Sequence, residues 1–175
     1  MQTTGAPLTI QRISTIATDT PGTVGGDNNR AGLIRVTNSG ASIDPDELIV
    51  HELSHNWDTG FQILFFSALS DWKIVELTVF DVNANKYLVP AGYTQASTFG
   101  KANSWTSGGK TYAWVYRSNA EFARPDGYGR SNPYEDFAST VETFYVLAKT
   151  GVGKAGADTW LSKWNYVNDW LKTIK

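Results

Sequence analysis

The chain has 175 residues, enough for one well-cored domain and short for two. With 15 Lys and Arg against 17 Asp and Glu the net charge is −2, and the basic residues are scattered singly, which argues against nucleic acid or an anionic membrane surface as the main partner. There is no cysteine, so a disulfide framework, a Cys-ligated metal and a Cys nucleophile are excluded, and no apolar run approaches the length of a membrane span.

The start, "MQTTGAPLTIQR", lacks the basic residues and long apolar core of a signal peptide. "PLTIQRISTIAT" alternates apolar and polar residues and predicts a strand. "DTPGTVGGDNNRAG" reads as a surface loop, and "GLIRVT", residues 32–37, as a second strand. Then comes a strongly marked helix start. Asp44 is a suitable N-cap, Pro45 suits the first helical position, and Glu47 completes a capping box. The helix should run from Pro45 to about Trp57 and end near Gly60. It places His51 and His55 on one face, with Ile49, Val50, Leu53 and Trp57 opposite as the packing face.

"FQILFFSALS" is a buried helix or extended segment; its periodicity does not decide. "WKIVELTVFDVNANKYLV" predicts a hairpin around Asn83-Ala84-Asn85; "DVNAN" opens like a calcium loop but lacks that motif's Gly and Glu, so the hairpin is preferred. Residues 91–110 read as a Gly/Ser/Thr-rich loop and "KTYAWVY" as a further strand. In "YGRSNPYEDFASTVETFYVLAK", residues 128–149, Asn132 can cap and Pro133 opens a helix to about Lys149. Glu135, Ser139 and Glu142 share one stripe of it, and Phe137, Val141, Phe144 and Ala148 the opposite one. A last amphipathic helix carries Trp160, Trp164, Val167, Leu171 and Ile174 on one stripe, the pattern of a helix docked on a core.

The chemistry-bearing stretch is "DELIVHELSHNWDTG", residues 46–60, which holds both histidines of the chain. Imidazoles at i and i+4 of a helix converge on one ion, and Glu52, next to the first, can hold a water there and act as general base. Such a site needs further ligands, and zinc takes about four. No third histidine exists, and Asp58 and Phe61 occupy the positions where a metzincin has Gly and its last His. The remaining ligand must be a carboxylate. The candidates are Asp58, Asp126, Glu135, Asp136 and Glu142. Asp58 lies too close along the same helix and suits a supporting contact better. Glu135 and Glu142 share a stripe, and spacing alone barely separates them.

"HELSHNWD" together with "YGRSNPYEDFAS" resembles the metallopeptidase domain of the anthrax lethal factor family, which includes the bacterial Pro-Pro endopeptidases. In that family a Tyr precedes the ligand Glu by seven residues, as Tyr128 precedes Glu135, and Asn132, Phe137 and Ala138 fall in register. The resemblance implies a gluzincin. His51, His55 and Glu135 would be zinc ligands, Glu52 the general base, and Tyr128 the donor to the oxyanion. It implies an α+β class and a compact zincin-like domain over residues 1–175, which also fits a fragment of a longer protein. A small mixed sheet, an HExxH helix and a Glu-ligand helix belong to that fold, and the C-terminal amphipathic helix completes it here. The substrate would be a peptide held extended along an edge strand, for which "GLIRVT" is the candidate.

Two departures stand out. Ser139 replaces a Glu that the family often carries, a role Glu142 could take, and the interval between His55 and Glu135 is long for the family. The expected function is a zinc-dependent endopeptidase, monomeric, secreted or at the cell surface, without nucleic-acid partner or membrane span. The alternative from another class is a non-catalytic zinc-binding module that anchors or binds. An aspzincin-like site using Asp126 or Asp58 fits less well, because "DGYG" has one residue too few.

Overall fold

A computed structural model describes residues 8–13, 26–28, 33–38, 45–60, 75–81, 86–87, 89, 91–95, 104–107, 109–118, 120, 122–123, 128–130, 133–151 and 161–173. Among them the fold is α+β, with two small sheets and helices that follow or lie between them. No helix among the described residues is long and apolar enough to cross a membrane.

The first sheet has the order β1-β3-β2, from Thr9–Ile13, Leu33–Thr37 and Gly26–Asn28. It is mixed: β1 runs parallel to β3, with Thr9 opposite Leu33, and β2 runs antiparallel, with Asp27 opposite Arg35. Arg35 and Asp27 also join through their side chains. Two expectations are corrected here. The Gly/Asn/Asp stretch is not all loop, because Gly26–Asn28 folds back onto β3. For that reason "GLIRVT" is the central strand and not an edge; the edges belong to β1 and β2. Ile34 and Val36 are buried on β3, as alternation requires.

The second sheet is antiparallel, with the order β5-β4-β8-β6, from Lys86–Tyr87, Val75–Asp81, Lys110–Arg117 and Tyr93–Gln95; β7, Ser104–Ser107, also pairs with β8. The hairpin expected in "WKIVELTVFDVNANKYLV" is present, with Phe80 opposite Tyr87; its Asn83-Ala84-Asn85 tip lies outside the described residues. Residues 91–110 are not simply loop. β7 covers the first half of one edge of β8 and β6 the second half, while β4 takes the other edge. Gly109, at φ 73, turns the chain between Ser107 and Lys110, a conformation that favours glycine in a two-residue hairpin.

Helix α1 is Pro45–Gly60, as its signals predict, with Asp46 and Glu47 in the first turn, where the helix dipole favours acids. Helix α2 is Pro133–Thr150, with Glu135 and Asp136 in its first turn and Lys149 in its last. Gly151, at φ 68, ends it, and its N–H donates to the Leu147 carbonyl. Helix α3 is Leu161–Thr173. The capping residues Asp44 and Asn132, the segment 61–70 and the ends Trp160 and Ile174 lie outside the described residues.

Helix α2 lies against α1, against α3 and against a 3₁₀ turn at Tyr128–Arg130. Phe122, Phe137, Val141 and Val167 form the core there, with Val50, Tyr116, Phe144 and Leu171 packed around them. Phe144 stacks on Trp164 at 4.2 Å between ring centroids, which docks α3 by the stripe expected of it. Much of α2 is buried all round, polar residues included. Thr140 and Thr143 are tolerated inside because each hydroxyl donates to a carbonyl four residues earlier. Ala148, expected on the packing stripe, is exposed.

Candidate metal centre

The face of α1 that carries the histidines is its more buried one. His51, Glu52 and His55 are each less than a tenth exposed, while Ile49, Val50 and Leu53 are half-buried. Sequence reasoning expected the reverse emphasis, with the apolar face packing and the imidazoles presented. The reason is α2, which lays Glu135 and Glu142 against that face, so the imidazoles are covered by carboxylates and not by solvent.

The convergence is tight. His51 Nε2 lies 3.1 Å from Glu135 Oε2, and His55 Nε2 lies 3.4 Å from the same oxygen. The two imidazole rings meet edge to face at 5.0 Å. His51, His55 and Glu135 each offer one ligand atom, all within 4.8 Å of one another and all from buried residues. Tetrahedral ligands about 2.1 Å from an ion stand roughly 3.4 Å apart. The contacts around the Glu135 oxygen match that spacing, and the two-imidazole, one-carboxylate donor set suits a borderline divalent cation. These residues therefore fit a metal ion.

Glu142 stands on the other side of His51, its Oε2 3.1 Å from Nδ1. The two carboxylates that spacing could not separate thus meet different nitrogens of one ring. Glu135 shares its oxygen with His55, and Glu142 fixes the orientation of His51, as a supporting carboxylate does for a ligand imidazole. Ser139, between them, is fully buried. Burial alone would push the His51 imidazole down, but hydrogen bonds and charge from Glu135 and Glu142 outweigh it and hold the imidazole up to about 9.

Glu52 is buried beside its neighbour His51 and is not one of the three converging residues. Strand β2 closes on it: a Cβ at Gly26 would stand 3.3 Å from Glu52 Cγ, 3.3 Å from Leu48 Cδ1 and 3.1 Å from the Arg35 carbonyl. Glycine is what lets the strand approach the helix so closely. Tyr128 reaches the centre from the 3₁₀ turn, its ring centroid 5.8 Å from that of His51. Of the residues given roles from the sequence, His51, His55 and Glu135 converge and Tyr128 stands against His51, while Glu52 is buried next to His51 in the helix and packs its Cγ toward Gly26.

Asp136 does not. It is fully buried, but its Oδ1 accepts from Lys163 Nζ at 2.8 Å, on the side of α2 that meets α3. Burial pushes its carboxyl up, against the pull of Lys163. The side chains of Asp58 and Asp126 lie outside the described residues. Gly26 and Lys163 were missed in the sequence. The signal for Lys163 was a cation on the flank of the apolar stripe of α3; for Gly26 it was a glycine pair shortly before a strand. Set beside models of protein families, curated proteins and solved structures, the chain gives no match.

Proposed function

We propose that the chain is a zinc-dependent endopeptidase of the gluzincin type, with His51, His55 and Glu135 as zinc ligands, Glu52 as general base and Tyr128 as oxyanion donor. One observation carries the proposal: the two HExxH imidazoles meet a buried carboxylate oxygen from a distant helix, with the Tyr128 ring against His51. The motif resemblance to the lethal factor family, and with it the zincin-like description of the domain, supports the same roles.

Bound zinc would supply a Lewis acid that polarises a peptide carbonyl and acidifies a water. Glu52 takes the proton of the attacking water and passes it to the leaving amine. Its burial keeps bulk water from competing for that proton. The Tyr128 hydroxyl donates to the oxygen that gains charge as the carbonyl becomes tetrahedral. Glu142 holds the His51 ring in the orientation that points Nε2 at Glu135. The edge strand nearest Glu52 is β2, which pairs only with β3 among the described residues, so an extended peptide could add to its other side.

The test is digestion of an unbiased peptide library by zinc-loaded protein, with and without chelator, alongside Glu52→Gln. Cleavage by the loaded wild type, lost in both other arms while Glu52→Gln still binds zinc, is the expected result. Zinc bound at one equivalent with no peptide cleaved would overturn the enzyme and favour a binding or anchoring module. Failure to take up zinc at all would overturn both.

A further inference from the structure

Behind the metal group lies a second buried charge cluster that the proposed reaction does not use. Asp136 and Lys163 are both essentially without solvent contact and joined at 2.8 Å. Two helices need no charge to pack, and apolar residues of the same volume often hold such a contact as well or better. What the pair touches suggests another role. A Cβ on Gly129 would stand 3.1 Å from Asp136 Cα, 3.1 Å from Asp136 Oδ1 and 3.2 Å from Phe122 Cδ1. The 3₁₀ turn is thus seated on the same carboxylate oxygen that Lys163 holds. Lys163 Nζ also lies 4.3 Å from the centroid of the Phe122 ring, which carries the guanidinium of Arg130 at 5.5 Å. Each residue of the turn is therefore fixed by a different neighbour: Tyr128 stands by His51, Gly129 on Asp136, and Arg130 over Phe122.

We infer that Asp136 and Lys163 are positioning residues for Tyr128. The ammonium from α3 holds the carboxylate in one orientation, the carboxylate seats Gly129, and the seat sets where the preceding tyrosine stands against His51. Glu135 and Asp136 are successive residues at the start of α2, so one helical turn carries both the metal-facing carboxylate and the seat of the oxyanion donor. A rigid element shared in this way fixes one group relative to the other. The inference rests on the peptidase proposal for what the Tyr128 hydroxyl does, but not for where its ring is held.

The test is the paired variant Asp136→Asn with Lys163→Met, which removes both charges and nearly keeps both volumes. With Tyr and His rings isotopically labelled, wild-type protein should give nuclear Overhauser cross-peaks for His51–His55 and His51–Tyr128. The paired variant should keep the first and lose the second; a folded variant that keeps both overturns the inference. In turnover, the variant should lower kcat by about 10- to 100-fold with KM nearly unchanged. In a Tyr128→Phe background the same two changes should do nothing further. An equal fall in both backgrounds would mark a merely structural pair and overturn the inference. Should the paired variant fail to fold, Gly129→Ala makes the same test with every charge in place: it should lose the His51–Tyr128 cross-peak, and keeping it overturns the inference. Wild-type protein without turnover would overturn the peptidase proposal alone, and the cross-peaks would still decide this one.

Discussion

Two carboxylates one residue apart on the same helix, Glu135 and Asp136, are both buried and have opposite surroundings. Glu135 faces two imidazoles of α1; Asp136 faces the ammonium of Lys163 on α3. The Lys163 nitrogen is already bound to Asp136 at 2.8 Å, and lysine is a poor metal ligand, so that pair is closed to an ion. An imidazole titrates far below an ammonium and, once deprotonated, is a good metal ligand, so the site around Glu135 can exchange a proton for a metal ion. Burial and residue type are alike on the two sides. What differs is whether the partner's charge can be replaced, and that separates a site able to hold an ion from an ion pair that positions its neighbours.

The comparison can be broken most directly at Glu135. Glu135→Gln should lower zinc affinity by more than the roughly 10- to 100-fold that a supporting residue costs, because it removes the charge shared by both imidazoles. Titration against a competing chelator measures this, and affinity near that of wild type would remove Glu135 from the ligand set. Next in size, Lys163→Met should destabilise the fold by about 3–5 kcal/mol, since it leaves Asp136 buried without its cation. Chemical denaturation should show this loss while the zinc stoichiometry stays the same; a loss of zinc instead would mean that the two sides of α2 are not separate.

Smaller effects sharpen the picture. Glu142→Gln should cost about 10- to 100-fold in zinc affinity through His51 alone, less than the change at Glu135. Equal losses at 135 and 142 would make the two acids joint ligands. The smallest effect, taken per pH unit, is that of pH. Because His51 in the metal-free protein is held up to about 9, above its ordinary value, it contributes stability that is fully present below about 6.5 and is lost as pH rises through about 9. Zinc needs the deprotonated ring, so its apparent affinity should climb with pH across the same window, by up to about tenfold per unit. A flat profile would mean that His51 does not carry that proton.

How much of this could be read in advance depends on whether the determinant is local. α1 and α2 announce themselves through Pro45 and Pro133, which suit first helical positions whatever the rest of the chain does. The HExxH spacing and the seven residues from Tyr128 to Glu135 are likewise properties of short windows, and the structure brings His51, His55, Glu135 and Tyr128 together. β2 and β7 were hidden because short edge strands take their register from a longer neighbour. Nothing in "GGDNN" alternates, yet Asp27 finds Arg35 once β3 is in place. The burial of the histidine face was hidden for the same reason, since it depends on a helix more than eighty residues away. Glu135 and Glu142 could not be told apart because both do face His51; their roles differ only in which nitrogen each meets.

The contact between His51 and Glu135 joins positions 84 residues apart. The whole five-stranded sheet, from Val75 to Arg117, is strung between them. An ion held by both would therefore act as a staple across a long loop, withdrawing freedom from the unfolded chain as a cross-link does. It would also make the folded population answer to the free metal in the surroundings, by about 2.7 kcal/mol at a hundred times its Kd. Cut within that loop, the chain would yield two pieces, one bearing the imidazoles and the other the carboxylate, and neither would own the site alone.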